Sequence, residues 1–216
     1  MNNEYRWPKK GANAFDVASI DVTSSTFAAV RYLDDIHTDD SWLADAFKVA
    51  ADKIIHELTQ ENGQEPADVY FMPIGYLYRH ALELKLKRII RLSFRLKLLE
   101  ENQKTSKRLE EHRLCPLWHN VKESFLKFWP GAPTEEIDGV ERFIQSFHGM
   151  DSSGQNLRYT VDSRGQSTIP KMPEYVELVH LKEVCNGVFT LLSACETTFD
   201  HAIEMESEAA QEYDAE

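Results

Sequence analysis

Apolar side chains recur every three or four positions through most of the chain after about residue 40, the period of one face of an α-helix. In "DDSWLADAFKVAADKIIHELTQENG" the stripe is Leu43, Phe47, Ala50, Ile54 and Leu58, with Asp40 or Ser41 able to cap the start and Gly63 able to end it. A second helix is expected over about Pro73 to Lys104, carrying Tyr78, Leu82, Leu86, Ile89, Ser93 and Leu96 on one side. Pro73 suits its first turn, where the missing N–H has no partner to lose. Pro116 sets the next start, because deeper inside a helix its ring would clash with the carbonyl of His112. That helix runs to about Trp129, with Leu117, Val121, Phe125 and Phe128 inward. In "TEEIDGVERFIQSFHGMD" a Thr134 cap precedes the stripe Ile137, Val140, Ile144 and Phe147. The last and longest helix lies within "PEYVELVHLKEVCNGVFTLLSACETTFDHAIE" and carries Val176, Val179, Val184, Val188, Leu191, Cys195 and Phe199.

Two stretches depart from this period. Residues 1–38 hold none for long and read as an N-terminal arm of coil or a short strand. Before the last helix, "LRYTV" and "QSTI" flank "DSRG", which suits a tight turn and predicts a small β-hairpin. The expected fold class is all-α: a helical bundle of about five helices with a small β-hairpin insertion before the last long helix. Residues 39–200 form the helical domain and residues 201–216 an acidic tail expected to be disordered.

A chain of 216 residues can bury roughly 70% of its unfolded surface, so neither a metal nor a disulfide is needed for it to fold. Cys115, Cys185 and Cys195 are odd in number and form no Cys-x-x-Cys pair, which points to a reduced, cytoplasmic setting with Cys185 and Cys195 as small core residues. No window approaches the roughly 20 apolar residues of a membrane span, and the N-terminus lacks an apolar signal core. The net charge of minus 12 argues against a nucleic-acid partner until its distribution is read. Between Arg79 and Arg113 eleven Lys and Arg face five acidic residues, a local plus 6 that leaves minus 18 for the remainder. Eight of those acidic residues fall between Glu196 and Glu216, where there is no Lys or Arg, and they could screen the basic segment or keep the protein soluble.

Within the basic segment His80, Glu83, Lys87, Arg91 and Arg95 share one helical face, either a solvated basic surface or one shaped for phosphates. The densest chemistry is "HRLCPLWHN", residues 112–120. On one unbroken helix His112, Cys115 and His119 would stack as metal ligands, but Pro116 parts them and no fourth ligand is near, so no metal is expected. No G-x-S-x-G elbow, G-x-x-x-x-G-K-[ST] loop or G-x-G-x-x-G fingerprint occurs, and no cofactor is expected.

"HALELKLK" at residues 80–87, "HRLCPLW" at 112–118 and the turn Arg158, Tyr159, Asp162, Gly165 occur in that order. In these elements the chain resembles the HEPN superfamily of helical bundles, over about residues 70–200, with Thr160 where proline is usual in the third element. The resemblance implies a protein acting on RNA, a metal-independent endoribonuclease of a toxin or defence system, in which two protomers meet at an R-x(4–6)-H motif. Arg113 and His119, with five residues between them, satisfy that spacing, although Leu114 stands where active members often have a polar residue. A histidine can move a proton at neutral pH and an arginine can hold phosphoryl oxygens bidentately as charge builds. On this reading Arg113 and His119 are catalytic, and Arg79, His80, Lys87, Arg91, Arg95, His112 and Arg158 bind substrate. His112 also fits the structural histidine of "H-x-L-x-x-L". The alternative is a non-catalytic HEPN-like module that binds a partner protein or a nucleotide through the same face.

Overall fold

A computed structural model describes residues 41–60, 66–132, 134–162 and 164–214; the N-terminal arm expected over residues 1–38 lies outside the described residues. Six α-helices occur among the described residues: α1 (Ser41–Leu58), α2 (Ala67–Arg95), α3 (Gln103–Glu110), α4 (Leu114–Phe128), α5 (Thr134–Met150) and α6 (Leu178–Asp214). A 3-10 turn at Ile169–Lys171 precedes α6. The all-α bundle is as the periodicity predicts. Its axis is α2, against which α1, α4 and α6 pack, while α5 lies on α4.

The centrality of α2 explains its composition. Ile74, Tyr78, Ala81, Leu82, Leu86, Ile89, Ile90 and Leu92 are all fully buried and point to more than one side, so neighbours surround the helix instead of covering one stripe. On α1 the deepest positions are Ala44, Ala51 and Ile55, one step round from the expected stripe. Phe47, Ile54 and Leu58 pack at its margin, since the small alanines let the two backbones approach. All four inward positions expected on α5, Ile137, Val140, Ile144 and Phe147, are buried. On α6 the core takes Cys185, Val188, Phe189, Leu192, Cys195 and Phe199, whereas Val179 and Val184 are exposed.

Three boundaries differ from expectation. α2 starts at Ala67, so Pro73 lies in its second turn, with its ring on the exposed side. At the other end the helix stops at Arg95 because Lys97 adopts φ 56°, and Leu98 N–H bonds the Ser93 carbonyl at 2.9 Å while Lys97 N–H bonds that of Phe94 at 3.0 Å. This is a Schellman closure with lysine at the position that favours glycine. Asn102 then caps the separate helix α3 through a reciprocal capping box with Thr105, at 2.9 Å and 3.1 Å. Third, α4 begins at Leu114, with Arg113 as the N-cap residue. Pro116 is thus the third helical residue, still within the turn whose N–H groups have no intrahelical partner.

The β-hairpin is corrected. No strand forms among the described residues, and a single bridge joins Val161 to Ser167. The segment before it is already turning, with the N–H groups of Arg158 and Tyr159 both on the Gln155 carbonyl at 3.1 Å. Of "LRYTV" only Leu157 is buried, while Tyr159 and Val161 are exposed, so no sheet face exists to reward pairing. At the acidic end α6 continues to Asp214, with exposed side chains from Glu204 to Gln211, so these residues are helical. No helix among the described residues is long and apolar enough to cross a membrane.

Candidate functional site

The face of α2 read as a basic surface is mostly interior. Arg79 is 1% exposed, Glu83 3% and Lys87 8%. Glu83 accepts from Arg79 Nη1 at 3.0 Å, Lys87 Nζ at 2.8 Å and His112 Nδ1 at 2.7 Å. Arg79 also donates through Nε to the Asp151 carbonyl at 3.1 Å, and through Nη2 to the His112 carbonyl. Burial pushes the Glu83 carboxyl up, but the hydrogen bonds from Lys87, His112 and Arg79 outweigh it and hold the group below the ordinary carboxylate value. Arg79 and Lys87, expected to bind substrate, therefore spend their charge on internal carboxylates.

The loop after α5 is built around the same guanidinium. Asp151 Oδ1 accepts from the N–H groups of Gln155 at 2.8 Å and Asn156 at 3.0 Å, folding the segment back so that Gly154 lies on Arg79. Gly154 has φ 80°, and a Cβ there would sit 3.2 Å from Arg79 Nη1, so both backbone and space demand glycine. Arg158 is exposed, donates Nε to the Gly154 carbonyl at 2.8 Å, and lies 5.7 Å from the ring centres of Tyr76 and Tyr159. Asp162 accepts from the N–H groups of Arg164 at 2.9 Å and Gln166 at 3.0 Å, and those bonds hold its carboxyl below the ordinary range. The three motif-like elements of the sequence thus converge on the middle of α2: Glu83 meets His112 directly, and Arg158 closes the loop that covers Arg79.

His80 is half-buried, edge-on to Phe47 at 4.6 Å and stacked on Tyr76 at 5.8 Å, and burial lowers its pKa. Its ring is packed against those of Phe47 and Tyr76. Arg91 and Arg95 stay exposed at the end of α2. They are joined by Lys97, Lys104, Lys107 and Arg113, all exposed, and by half-exposed Arg108. Lys85 and Arg88 are withdrawn from this surface by the acidic residues of α6: Lys85 Nζ meets Glu196 at 2.8 Å and Arg88 Nη2 meets Asp200 at 2.9 Å. The basic surface therefore begins at Arg91, about three helical turns beyond Arg79 where the face read from the sequence starts, and extends onto α3 and the start of α4.

Arg113, the N-cap residue of α4, and His119, in its second turn, are both exposed. Their beginning is fixed from behind, because Arg79 binds the carbonyl of the preceding residue, His112. Six positions apart at about 100° per residue, their Cα positions lie about 120° from each other around the axis. Arg113 acts on His148 and Cys115, whose pKa values respond to it; burial lowers that of His148 and raises that of Cys115. His119 instead lines a polar cleft with Lys104, Arg108 and Asn120. One protomer does not bring the pair into a common pocket. Among the described residues no group of three or more His, Cys, Asp or Glu side chains is placed to hold a metal ion, and His112 is turned to Glu83.

Sequence reasoning missed α3, its cleft, Asp151 and Gly154. The signal for α3 was present as Asn102 followed three residues later by Thr105. A further feature is mainly apolar: a groove of about 890 Å³ between α5 and the start of α6, walled by Phe71, Phe143, Phe147, Met150, Val176 and Leu181, with Arg142, Lys171, Glu177 and His180 also lining it. Compared with protein-family models, with curated proteins and with solved structures, the chain matches none.

Proposed function

We propose that the protein acts on RNA as a metal-independent endoribonuclease of the HEPN kind, with Arg113 and His119 as its reacting pair. The observation that supports this most is the exposure of both residues, at the N-cap and in the second turn of one helix, whose start is tied down by buried Arg79 and Glu83 acting on His112. In the reaction a ribose 2′-hydroxyl attacks the adjacent phosphorus and the P–O5′ bond breaks. His119 moves the proton of the attacking or the leaving oxygen, and Arg113 holds the phosphoryl oxygens as their charge grows. Because the two side chains diverge around α4, the complete site is formed by two protomers, Arg113 of one serving with His119 of the other. Purified protein incubated with single-stranded RNA in EDTA cleaves it on this reading, and His119→Ala abolishes cleavage. Undiminished activity in that variant removes the assignment.

A second reading, a non-catalytic helical module binding a partner protein, is favoured by the apolar groove beside α5. Intact RNA in the EDTA assay, at every protein concentration, selects it over the first.

A further inference from the structure

A cleft of about 220 Å³ opens between the chain following α2, α3 and α4. Lys104, Arg108, His119 and Asn120 form its polar wall, with Glu100 and Glu123 also lining it. At roughly 30 Å³ for each water molecule it has room for about seven, which suits one phosphoryl group with part of its sugar and excludes a stacked pair of bases.

Two cations, Lys104 and Arg108, face two carboxylates, Glu100 and Glu123, in the lining, but among the described residues no ion pair joins them. Arg108 Nη1 donates to Asn120 Oδ1, and among the described residues no carboxylate is paired with this guanidinium. Glu123 is engaged by Lys127 at 2.8 Å, and Glu100 pairs with neither Lys104 nor Arg108. A guanidinium held along one edge by a neutral amide presents its other donors in a fixed fork, the geometry that matches two oxygens of a phosphate. Asn120 is 2% exposed, and with Oδ1 given to Arg108 its Nδ2 finds no acceptor among the described residues. A buried amide N–H left without a partner at the wall of a cleft signals an acceptor that comes with a ligand.

We propose that this cleft is a phosphate-binding subsite, in which Arg108 and Lys104 take the phosphoryl oxygens and Asn120 supplies a further donor. His119 stands on its rim. It rests on the RNA reading only for what is attached to the phosphate: with that reading, the subsite holds a phosphate of the strand beside the one His119 acts on. Arg113 is not part of the wall, so the arginine that shares a cleft with His119 in one protomer is Arg108.

The test follows the His119 ring resonance of the full-length chain during titration with inorganic phosphate, then with single-stranded oligoribonucleotides of about ten residues bearing a 5′-phosphate or a 5′-hydroxyl. Phosphate moves the resonance saturably. Arg108→Gln weakens that binding by about tenfold or more. Lys107→Gln, which removes the same charge from the adjacent position of the same helix, leaves it within about twofold. Arg108→Lys falls between the two because it keeps charge and loses the fork, and an unchanged thermal midpoint shows that each variant is folded. No saturable shift, or equal losses in Arg108→Gln and Lys107→Gln, overturns the subsite. If phosphate binds through Arg108 while neither oligonucleotide binds or is cut, the subsite stands and the RNA reading falls. If RNA is cut in a His119-dependent way while Arg108→Gln changes neither phosphate binding nor KM, the subsite falls and the RNA reading stands. Equal binding of the two oligonucleotides places an internal phosphate in the cleft; preference for the 5′-phosphate places a terminal one.

Discussion

Glu83 Oε1 and His112 Nδ1 lie 2.7 Å apart, joining the middle of α2 to the turn that launches α4. The bond is asymmetric in its surroundings: the Glu83 side chain is 3% exposed and that of His112 60%. Removing the carboxylate therefore differs from removing the ring. Glu83→Ala leaves Lys87 buried without its counter-charge and Arg79 with Asp151 alone, which costs about 3–5 kcal/mol. His112→Ala removes one partner of three from a group still served by Arg79 and Lys87, and costs about 1 kcal/mol. Urea unfolding of the two variants measures the difference, and equal losses would show that the network is not centred on Glu83.

Helix periodicity located the bundle because it depends on which residues are apolar, and that is local. The same periodicity could not separate a solvated basic face from a buried one, since the partners deciding the matter are remote. Arg79 is answered by Glu83 four positions away, but also by Asp151 and by His112 in a different loop. Lys85 is answered by Glu196, 111 positions on. The hairpin failed for the converse reason: β-prone residues in "LRYTV" were read without knowing that only Leu157 has anything to pack against. Arg113 and His119 were visible as a spacing, whereas their divergence depends on where α4 begins, which Pro116 alone did not settle.

Lys97 closes α2 in the left-handed region at φ 56°, where a side chain is disfavoured. Lys97→Gly relieves that strain while adding freedom to the unfolded chain, and the first effect is the larger. A gain of about 0.5 kcal/mol in unfolding free energy is expected, together with unchanged helicity. A loss would mean that contacts of the lysine side chain outweigh its backbone cost.

Cys185 and Cys195 are fully buried, and burial pushes the Cys195 thiol up to about 12 and the Cys185 thiol higher still. Cys115 is half-buried, and burial raises it as well. A thiol reagent at neutral pH thus modifies Cys115 first and slowly, and reaches the other two only through unfolding. Mass spectrometry of the native protein should show one adduct before denaturant is added and three after. Early modification of Cys185 would contradict its place between α6 and the core.

The histidines behind the site set the acid response. His80, pressed between Phe47 and Tyr76, and His148, whose buried Nδ1 has no partner among the described residues, are both held below 6.5, chiefly by burial. Glu83 draws the His80 value up, and Arg79, Lys87 and His112 draw it down; Asp151 opposes Arg113 and Arg79 at His148. A histidine whose folded pKa is depressed takes up its proton more readily when unfolded, so the stability is whole above 6.5 and declines as pH falls from there toward the folded value. Glu83, depressed from 4.5, adds a second decline only below that value. Thermal midpoints taken between about pH 8 and pH 2.5 should therefore fall in two stages. The double variant His80→Gln, His148→Gln should flatten the first stage and leave the second, whereas an unaltered first stage in that variant would place the titrating groups elsewhere.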